Sequence, residues 1–258
     1  GPSGPAPRSR GTSCACTAQS CGRPSNTAPA RKIDAAAVRF LFVTDFSKAR
    51  SELVSNLLKR GYVSKPEVAA ALRKVPREEF VPRGLRGEAY VDTPLPIGSG
   101  QTISAPHMVA MMSEALDLRP GHKVLEVGGG SGYHAAVAAE LVSPGGHVFT
   151  VERIEELAES ARENISRTGY SGSVTVVLSD GSVGLPEEAP FDRIFVACGA
   201  PSVPGPLKAQ LKDGGAMIVP VGGRMFQELI KVERKGDEYR THDLGGCVFV
   251  PLIGEHGY

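Results

Sequence analysis

Long apolar stretches and a strong net charge are both missing from this sequence. No run of apolar residues approaches the roughly 20 that a helix needs to span a bilayer, and the amino end carries no apolar core of the kind found in secretion signals. The 29 basic and 28 acidic residues leave a formal net charge of +1, so electrostatics gives no reason to expect nucleic acid or an anionic membrane as a partner. We therefore expect a cytoplasmic protein that binds neither, and we expect it to be a monomer.

The cysteines do not follow a metal-binding pattern. Cys14, Cys16 and Cys21 are spaced C-x-C-x4-C with no histidine close behind them, whereas a zinc site favours C-x2-C followed by a second pair or by histidines. The other two, Cys198 and Cys247, stand among apolar residues and are best interpreted as small buried side chains. We expect no metal in this protein.

Composition divides the chain near residue 42. Residues 1–42 consist largely of Gly, Pro, Ser, Thr, Ala and Arg, which offer too little apolar surface to offset the entropy lost on ordering. We predict that they are a disordered extension, or an upstream segment outside the working domain. Residues 43–258 are predicted to form a single domain, with a helical cap and an active-site loop over 43–120 and an α/β core over 121–258.

Two short helices are predicted in the cap. The stretch SKARSELVSNLLKRG places apolar residues on one helical face and ends at Gly61. SKPEVAAALRKV follows, with Ser64 as the predicted N-cap and Pro66 in the first turn.

After Gly121 the pattern alternates between strands and helices. Helices are predicted over 131–142, 153–169 and 203–215, each with a glycine at or just beyond its end. The predicted strands are residues 123–127, 147–151, 174–178, 191–198, 216–221, 228–234 and 247–252. Such alternation with short connections predicts a mostly parallel seven-stranded sheet with helices on both faces. The last two strands have no helix pattern between them, which indicates an antiparallel edge.

A glycine-rich loop follows the first of these strands. Gly128, Gly130 and Gly132 form G-x-G-x-G between strand and helix, where a ligand can approach the backbone and meet the free N–H groups of the helix start. A dinucleotide-binding loop would need Gly or Ala at position 133, which is Tyr133 instead. The loop therefore indicates a nucleotide-like ligand and disfavours a dehydrogenase.

Acidic residues stand at the ends of three successive strands. Glu126 precedes the glycine loop and suits a cation such as the amino group of a methionine-derived cofactor. Glu152 suits a ribose diol, and Asp180 is placed for an adenine amino group. One such acid is more often a helix cap than a ligand, but the three together with the glycine loop predict S-adenosylmethionine as the cofactor.

The stretch PLPIGSGQTISAPHM (94–108) contains hydroxyls but no acid. From the residues alone, Ser104 is best interpreted as a loop or capping serine and His107 as a helix-start or surface residue. A covalent role for Ser104 would need an activating base, and His107 lies three residues further on, beyond a proline.

Several motifs together resemble a known family, the protein-L-isoaspartate O-methyltransferases, which are class I S-adenosylmethionine-dependent enzymes. The matching pieces run in the family's order from about Ser47 to Leu252: AYVDTPLPIGSGQTISAPHM, VLEVGGGSGYHAAVAAELV, VERIEELAESARENI, LSDGSVG, APFDRIFVACGAP, LKDGGAMIVPVG and FVPL. The resemblance implies a Rossmann-like fold and methylation of the free α-carboxylate of L-isoaspartyl residues, with D-aspartyl residues as a second possible substrate. The ester then closes to a succinimide, whose hydrolysis returns some normal aspartate.

The resemblance also assigns roles by position. Ser104 matches the family's active-site serine. The implied cofactor contacts are Thr102, Ile103, Glu126, Gly128, Gly130, Ser131, Gly132, Glu152, Asp180, Gly181 and Gln227. The segments that hold the substrate backbone match Pro220, Val221, Gly222, Val250 and Pro251. Gly129 departs from the Thr or Ser that is common inside the family's loop.

With a carboxylate as substrate, Ser104 needs no catalytic partner. A carboxyl group with a pKa of about 4 is already ionised at neutral pH, so it attacks without a general base. Ser104 would then hold one carboxylate oxygen while the other attacks the methyl group. The alternatives are a relative that methylates an ordinary aspartate or another carboxylate in a dedicated peptide, and a binding module that has lost its chemistry.

Overall fold

The computed structural model describes residues 45–258. The predictions for residues 1–42, including those for Cys14, Cys16 and Cys21, lie outside this range. Within it, no helix combines the length and the apolar character required to cross a bilayer.

Within residues 45–258, three α-helices and a small hairpin precede the main sheet. Helix α1 is Phe46–Lys59, α2 is Pro66–Lys74 and α3 is Pro106–Leu116, while strands β1 (Leu95–Gly98) and β2 (Gln101–Ile103) pair antiparallel just before α3. The first two helices were predicted. Helix α3 and the hairpin were not, because glycines and prolines dominate the stretch that leads into them.

The predicted N-cap at Ser64 is wrong. Lys65 holds that position and makes no side-chain capping bond. Instead, the carboxylate of Glu114 in α3 accepts hydrogen bonds from the Lys65 backbone N–H at 2.8 Å and from the Ser64 hydroxyl at 2.8 Å. A residue distant in sequence thus satisfies the N–H of the N-cap residue, the group that a glutamate in the first helical turn covers in a local capping box.

The main sheet has seven strands in residues 45–258, in the order β5-β4-β3-β6-β7-β8-β9. Strands β3 to β7 run parallel, and β8 and β9 are antiparallel to their neighbours, so the predicted fold class is confirmed. The strands are β3 Lys123–Val127, β4 His147–Glu152, β5 Val174–Leu178, β6 Phe191–Val196, β7 Leu211–Gly223, β8 Phe226–Lys235 and β9 Glu238–Cys247; the helices between them are α4 Tyr133–Val142, α5 Glu155–Arg167 and α6 Gly205–Ala209.

The last predicted strand, 247–252, is wrong. The edge strand is β9, which is exposed at nearly every position and therefore carries none of the apolar alternation that marks a half-buried strand. Residues 248–252 are apolar for another reason, since Phe249 and Leu252 are buried in the core on the two faces of the sheet, and the segment is held there by backbone bonds to Gly199. The Gly199 N–H donates to the Val250 carbonyl at 2.8 Å, and the Leu252 N–H donates to the Gly199 carbonyl at 2.7 Å.

The predicted helix over 203–215 is mostly wrong as well. Only Gly205–Ala209 is helical, and β7 begins at Leu211. The carbonyl of Gln210 accepts the Phe191 N–H at 2.9 Å, and Leu211 pairs with Phe191. Pairing with β6 therefore overrides the local helix preference of LKAQL, as tertiary contacts often do.

Apolar residues fill both faces of the sheet. On one face Val124, Phe195 and Ile218 pack with helices α1 to α4, and on the other Leu125, Ile194 and Met217 pack with Leu207 of α6 and with Leu252. Because the sheet is covered on both sides, its ligand site is confined to an edge, beyond the carboxyl ends of the parallel strands.

Candidate active site

A cavity of about 240 Å³ opens beyond the carboxyl ends of β3, β4 and β6. It brings together the loop after the β1–β2 hairpin, the glycine loop and the segment after β9. The predicted site residues that line it are Thr102, Ile103, Ser104, Glu126, Gly128, Gly130, Ser131, Glu152, Gly181, Val250 and Pro251. Motifs that are far apart in the sequence therefore share one cavity.

Backbone hydrogen bonds fix the glycine loop against β4. The N–H groups of Gly128 and Gly129 both donate to the Val151 carbonyl, at 2.9 and 3.1 Å. Gly128 has a φ of +87°, and a Cβ added there would lie 2.5 Å from the Cys198 sulfur. Glycine is therefore required at 128 both by the backbone conformation and by the close approach of the segment that follows β6. Gly132 lies outside the cavity, against Ile165 of α5.

Glu126 presents a buried carboxyl to the cavity. The Thr150 hydroxyl donates to its Oε2 at 2.6 Å. Burial raises the pKa of Glu126 to about 8, nearby Glu152 acts in the same direction, and the bond from Thr150 opposes the rise. A Cβ on Gly129 would overlap Thr150 Oγ1, so glycine at 129 leaves room for the hydroxyl that holds Glu126.

Backbone N–H groups orient the carboxylate of Glu152. Its Oε2 accepts from Gly130 at 2.9 Å, and its Oε1 accepts from Arg153 at 2.9 Å and from Ile154 at 3.0 Å. One carboxylate thus ties the glycine loop to the start of α5. A carboxylate offers about four acceptor sites, so one is left for a ligand hydroxyl.

Asp180 does not line the cavity, although the next residue, Gly181, does. Its Oδ1 accepts the Ser182 N–H and its Oδ2 accepts the Glu255 N–H, each at 2.8 Å. Burial favours the neutral form, but the bonds from Glu255 and Ser182 outweigh it and hold the pKa of Asp180 below its usual value. The segment at the carboxyl end therefore lies directly on the predicted adenine-binding acid.

This contact leads to a testable prediction at Gly254. A Cβ there would overlap the carboxylate of Asp180 and lie 2.5 Å from the Ser182 hydroxyl oxygen. Overpacking of this kind costs about 1–3 kcal/mol. Because Leu252 and Ile253 line the cavity, we expect Gly254→Ala to weaken cofactor binding by about tenfold and to lower the Tm.

Calorimetric titration and thermal unfolding would measure both effects. Gly172→Ala is the matched control, since nothing lies within 4 Å of the Cβ it would add. Equal cofactor affinity in Gly254→Ala and Gly172→Ala would mean that the carboxyl-terminal segment does not shape the site.

Ser104 lies between the hairpin and α3, and its backbone is held by a hydrogen bond from a buried side chain. The carbonyl of Ser104 accepts a hydrogen bond from Nη2 of the buried Arg77 at 2.9 Å, and α3 begins two residues later at Pro106. His107 lies in the first turn of α3, so its interpretation as a helix-start residue is confirmed. Its backbone N–H and its ring Nδ1 both lie 2.9 Å from Asp92 Oδ1.

Besides Gly132 and Asp180, four more predicted residues lie away from the cavity wall. Gln227 is fully buried, and its side chain bonds to the backbone of Gly223 and of Phe249. Ala200 pairs with the segment that contains Pro220, Val221 and Gly222, while its neighbour Gly199 pairs with Pro251. Their roles in binding cofactor and substrate stay predictions.

The cavity also contains residues that the sequence did not reveal, among them Tyr133, His134 and Cys198. Burial lowers the pKa of His134 to about 3, so this histidine is neutral at physiological pH. Burial raises the pKa of Cys198 to about 12, so it lines the wall as a thiol rather than as a nucleophilic thiolate. Their local sequence is that of an ordinary apolar helix and strand end, which carries no signal of a site.

Comparison with known proteins decides the family. A family model described as Protein-L-isoaspartate(D-aspartate) O-methyltransferase (PCMT) matches residues 48–257. The chain belongs to this family. It is 62% identical over 214 residues to the protein-L-isoaspartate O-methyltransferase of Methanopyrus kandleri, covering 83% of this chain and 95% of that protein. It is 55% identical over 221 residues to that of Hyperthermus butylicus, covering 83% and 92%.

Comparison with solved structures agrees with this family assignment. A protein-L-isoaspartate O-methyltransferase structure superposes with a TM-score of 0.73 at 34% identity, covering 81% of this chain and 67% of the other. A Plasmodium falciparum chain in complex with S-adenosyl-L-homocysteine gives a TM-score of 0.71 at 28% identity, covering 79% and 98%. This protein is thus a methyltransferase that uses S-adenosylmethionine, and the predictions of family, fold, enzyme class and cofactor are confirmed.

Proposed function

We propose that this methyltransferase esterifies the free α-carboxylate of L-isoaspartyl residues in damaged proteins and so begins their repair through a succinimide. The observation that carries the proposal is that Ser104 lines the same cavity as Glu126 and the glycine loop. A loop typical of this carboxyl methyltransferase family and a cofactor loop thus form one site. The alternative is an ordinary aspartate or another carboxylate in a dedicated peptide.

The chemistry of the cavity suits the cofactor. Because Gly128 and Gly130 have no side chains, the cofactor can approach the backbone there closely. Glu126 offers a buried carboxyl whose ionised form would be favoured by the ammonium group of the cofactor. Bound there, S-adenosylmethionine supplies an electrophilic methyl group. Glu126 and Glu152, which both line the cavity, would hold its polar groups.

The substrate needs placement rather than activation. Its carboxylate is ionised at neutral pH, and holding reactants in line can contribute about 7–11 kcal/mol toward lowering the barrier. In our proposal the Ser104 hydroxyl donates to one carboxylate oxygen and leaves the other free to attack. His107 does not line this cavity, which fits a mechanism without a general base.

A paired assay tests this function. The protein, incubated with methyl-labelled cofactor, is expected to label an isoaspartyl peptide and to leave the aspartyl peptide of the same sequence unlabelled. A D-aspartyl peptide would show whether the second possible substrate is also accepted. Equal labelling of the isoaspartyl and aspartyl peptides would favour the alternative substrate, and labelling of neither would contradict carboxyl methylation. The monomeric state and the cytoplasmic location stay predictions.

A further inference from the structure

Arg77 is a charged residue in the interior of the cap for which the proposed chemistry has no role so far. Its side chain is completely buried. Within residues 45–258 its Nη1 has no hydrogen-bond partner, and its other nitrogens bond to backbone carbonyls rather than to a carboxylate. An arginine stays protonated in proteins, so a positive charge lies buried without a paired anion.

Stability alone gives a poor reason for this arrangement. Burying a charge without a paired and hydrogen-bonded counterion is costly, and the two hydrogen bonds that Arg77 donates to backbone carbonyls offset only part of that cost. The guanidinium is therefore better explained by what it holds in place.

The contacts of Arg77 join three segments around the cavity. Nε donates to the Ala89 carbonyl at 2.9 Å, and Nη2 donates to the Ser104 carbonyl at 2.9 Å. The guanidinium carbon lies 4.9 Å from the centre of the Tyr133 ring, and Tyr133 is the first residue of α4, directly after the glycine loop. One rigid group thus contacts the segment before the hairpin, the loop of Ser104 and the end of the cofactor loop.

We propose that Arg77 is a positioning residue for methyl transfer, which sets the distance and orientation of Ser104 relative to the glycine loop. The proposal rests on the proposed function, because it assumes that Ser104 holds the attacking carboxylate. A guanidinium suits this task because its planar donors have a fixed geometry and it stacks on an aromatic ring, whereas a lysine ammonium has neither property.

The main test compares Arg77→Lys and Arg77→Met with the unaltered protein. Lysine keeps the charge but cannot reproduce both bonds and the stacking, and a displacement of about 1 Å can cost about 100-fold in rate. We expect Arg77→Lys to lower kcat on an isoaspartyl peptide by about 10- to 100-fold, with cofactor affinity and Tm nearly unchanged. Arg77→Met is expected to lose at least as much turnover, and its Tm should fall because the Ala89 and Ser104 carbonyls lose their donor.

Arg86→Met is the matched control. Its Nε also lacks a partner within residues 45–258, but its guanidinium pairs with Glu79 at 2.7 Å and does not contact the Ser104 loop. We expect this variant to keep its kcat. Equal losses of kcat in the Arg77 and Arg86 variants would indicate general disruption of the cap and overturn the proposal.

A double-variant cycle separates positioning from a structural role. Groups that act through one contact show non-additive effects, so Ser104→Ala combined with Arg77→Lys should be no slower than Ser104→Ala alone. Additive losses, or full kcat in Arg77→Lys, would overturn the role of Arg77. Failure of the proposed function would look different, since the unaltered protein itself would then transfer no methyl to the isoaspartyl peptide.

Discussion

Ser104→Ala is expected to lower kcat on an isoaspartyl peptide by about 100-fold, within the range seen when one donor to reacting oxygens is removed. The hydroxyl holds the carboxylate oxygen that does not attack, so its loss leaves the substrate free to rotate away from the methyl group. Binding of the cofactor should be unaffected, because Glu126, Glu152 and the glycine loop remain intact. Steady-state assays with labelled methyl, together with calorimetric titration of the cofactor, measure the two quantities separately.

Ser104→Thr provides the comparison, since it keeps a hydroxyl in the same place and adds one methyl group. It should recover part of the lost turnover. A normal kcat in Ser104→Ala would remove Ser104 from the mechanism. A fall in cofactor affinity equal to the fall in kcat would make it a cofactor contact instead.

The second large effect is expected at Glu126, where cofactor affinity should depend on pH. The pKa of Glu126 is raised to about 8, so the carboxyl is mostly neutral at pH 7 in the free protein and ionises when it meets an ammonium group. Cofactor affinity should therefore rise with pH between about 6.5 and 7.5, by up to tenfold per unit. Glu126→Gln should bind about 10- to 100-fold more weakly, with a flatter pH dependence.

Glu126 also makes the free energy of unfolding depend on pH, and this free energy falls with rising pH where cofactor affinity rises. A carboxyl whose pKa is higher in the folded state binds more protons when folded, so the free energy of unfolding falls as pH rises toward about 8. Below about pH 6.5 the lowered pKa of His134, also caused by burial, acts in the reverse direction, because the unfolded state then binds the extra proton. The effect of Glu126 is therefore clearest between about pH 6.5 and 7.5.

Denaturant unfolding without cofactor would measure this dependence. We expect a slope of up to about 1.4 kcal/mol per pH unit in the unaltered protein, and a smaller slope in Glu126→Gln. Identical slopes in the two proteins would show that the buried carboxyl is already ionised in the free protein. The rise of cofactor affinity with pH would then be absent as well.

The sequence by itself determined the cofactor class and the parallel core. Glu126, Glu152 and the glycines end short apolar strands, and parallel strands present their carboxyl ends at one edge, so the strand pattern alone is enough to place these residues together. The same local rules failed at β9 and over 203–215. An exposed edge strand carries no apolar alternation, and the pairing of Leu211 with Phe191 depends on a residue 20 positions away.

Only the tertiary structure decided what surrounds Ser104. The sequence suggested no partner for it, and Arg77 reaches its carbonyl across 27 positions. Other contacts likewise join segments that are distant in the chain. The Glu255 N–H donates to Asp180, Glu114 accepts from the N-cap residue of α2, and Gln227 accepts from the Phe249 N–H and lies away from the cavity wall. Periodicity and spacing report on neighbours along the chain, whereas a buried hydrogen bond forms wherever folding leaves an unpaired donor beside an acceptor.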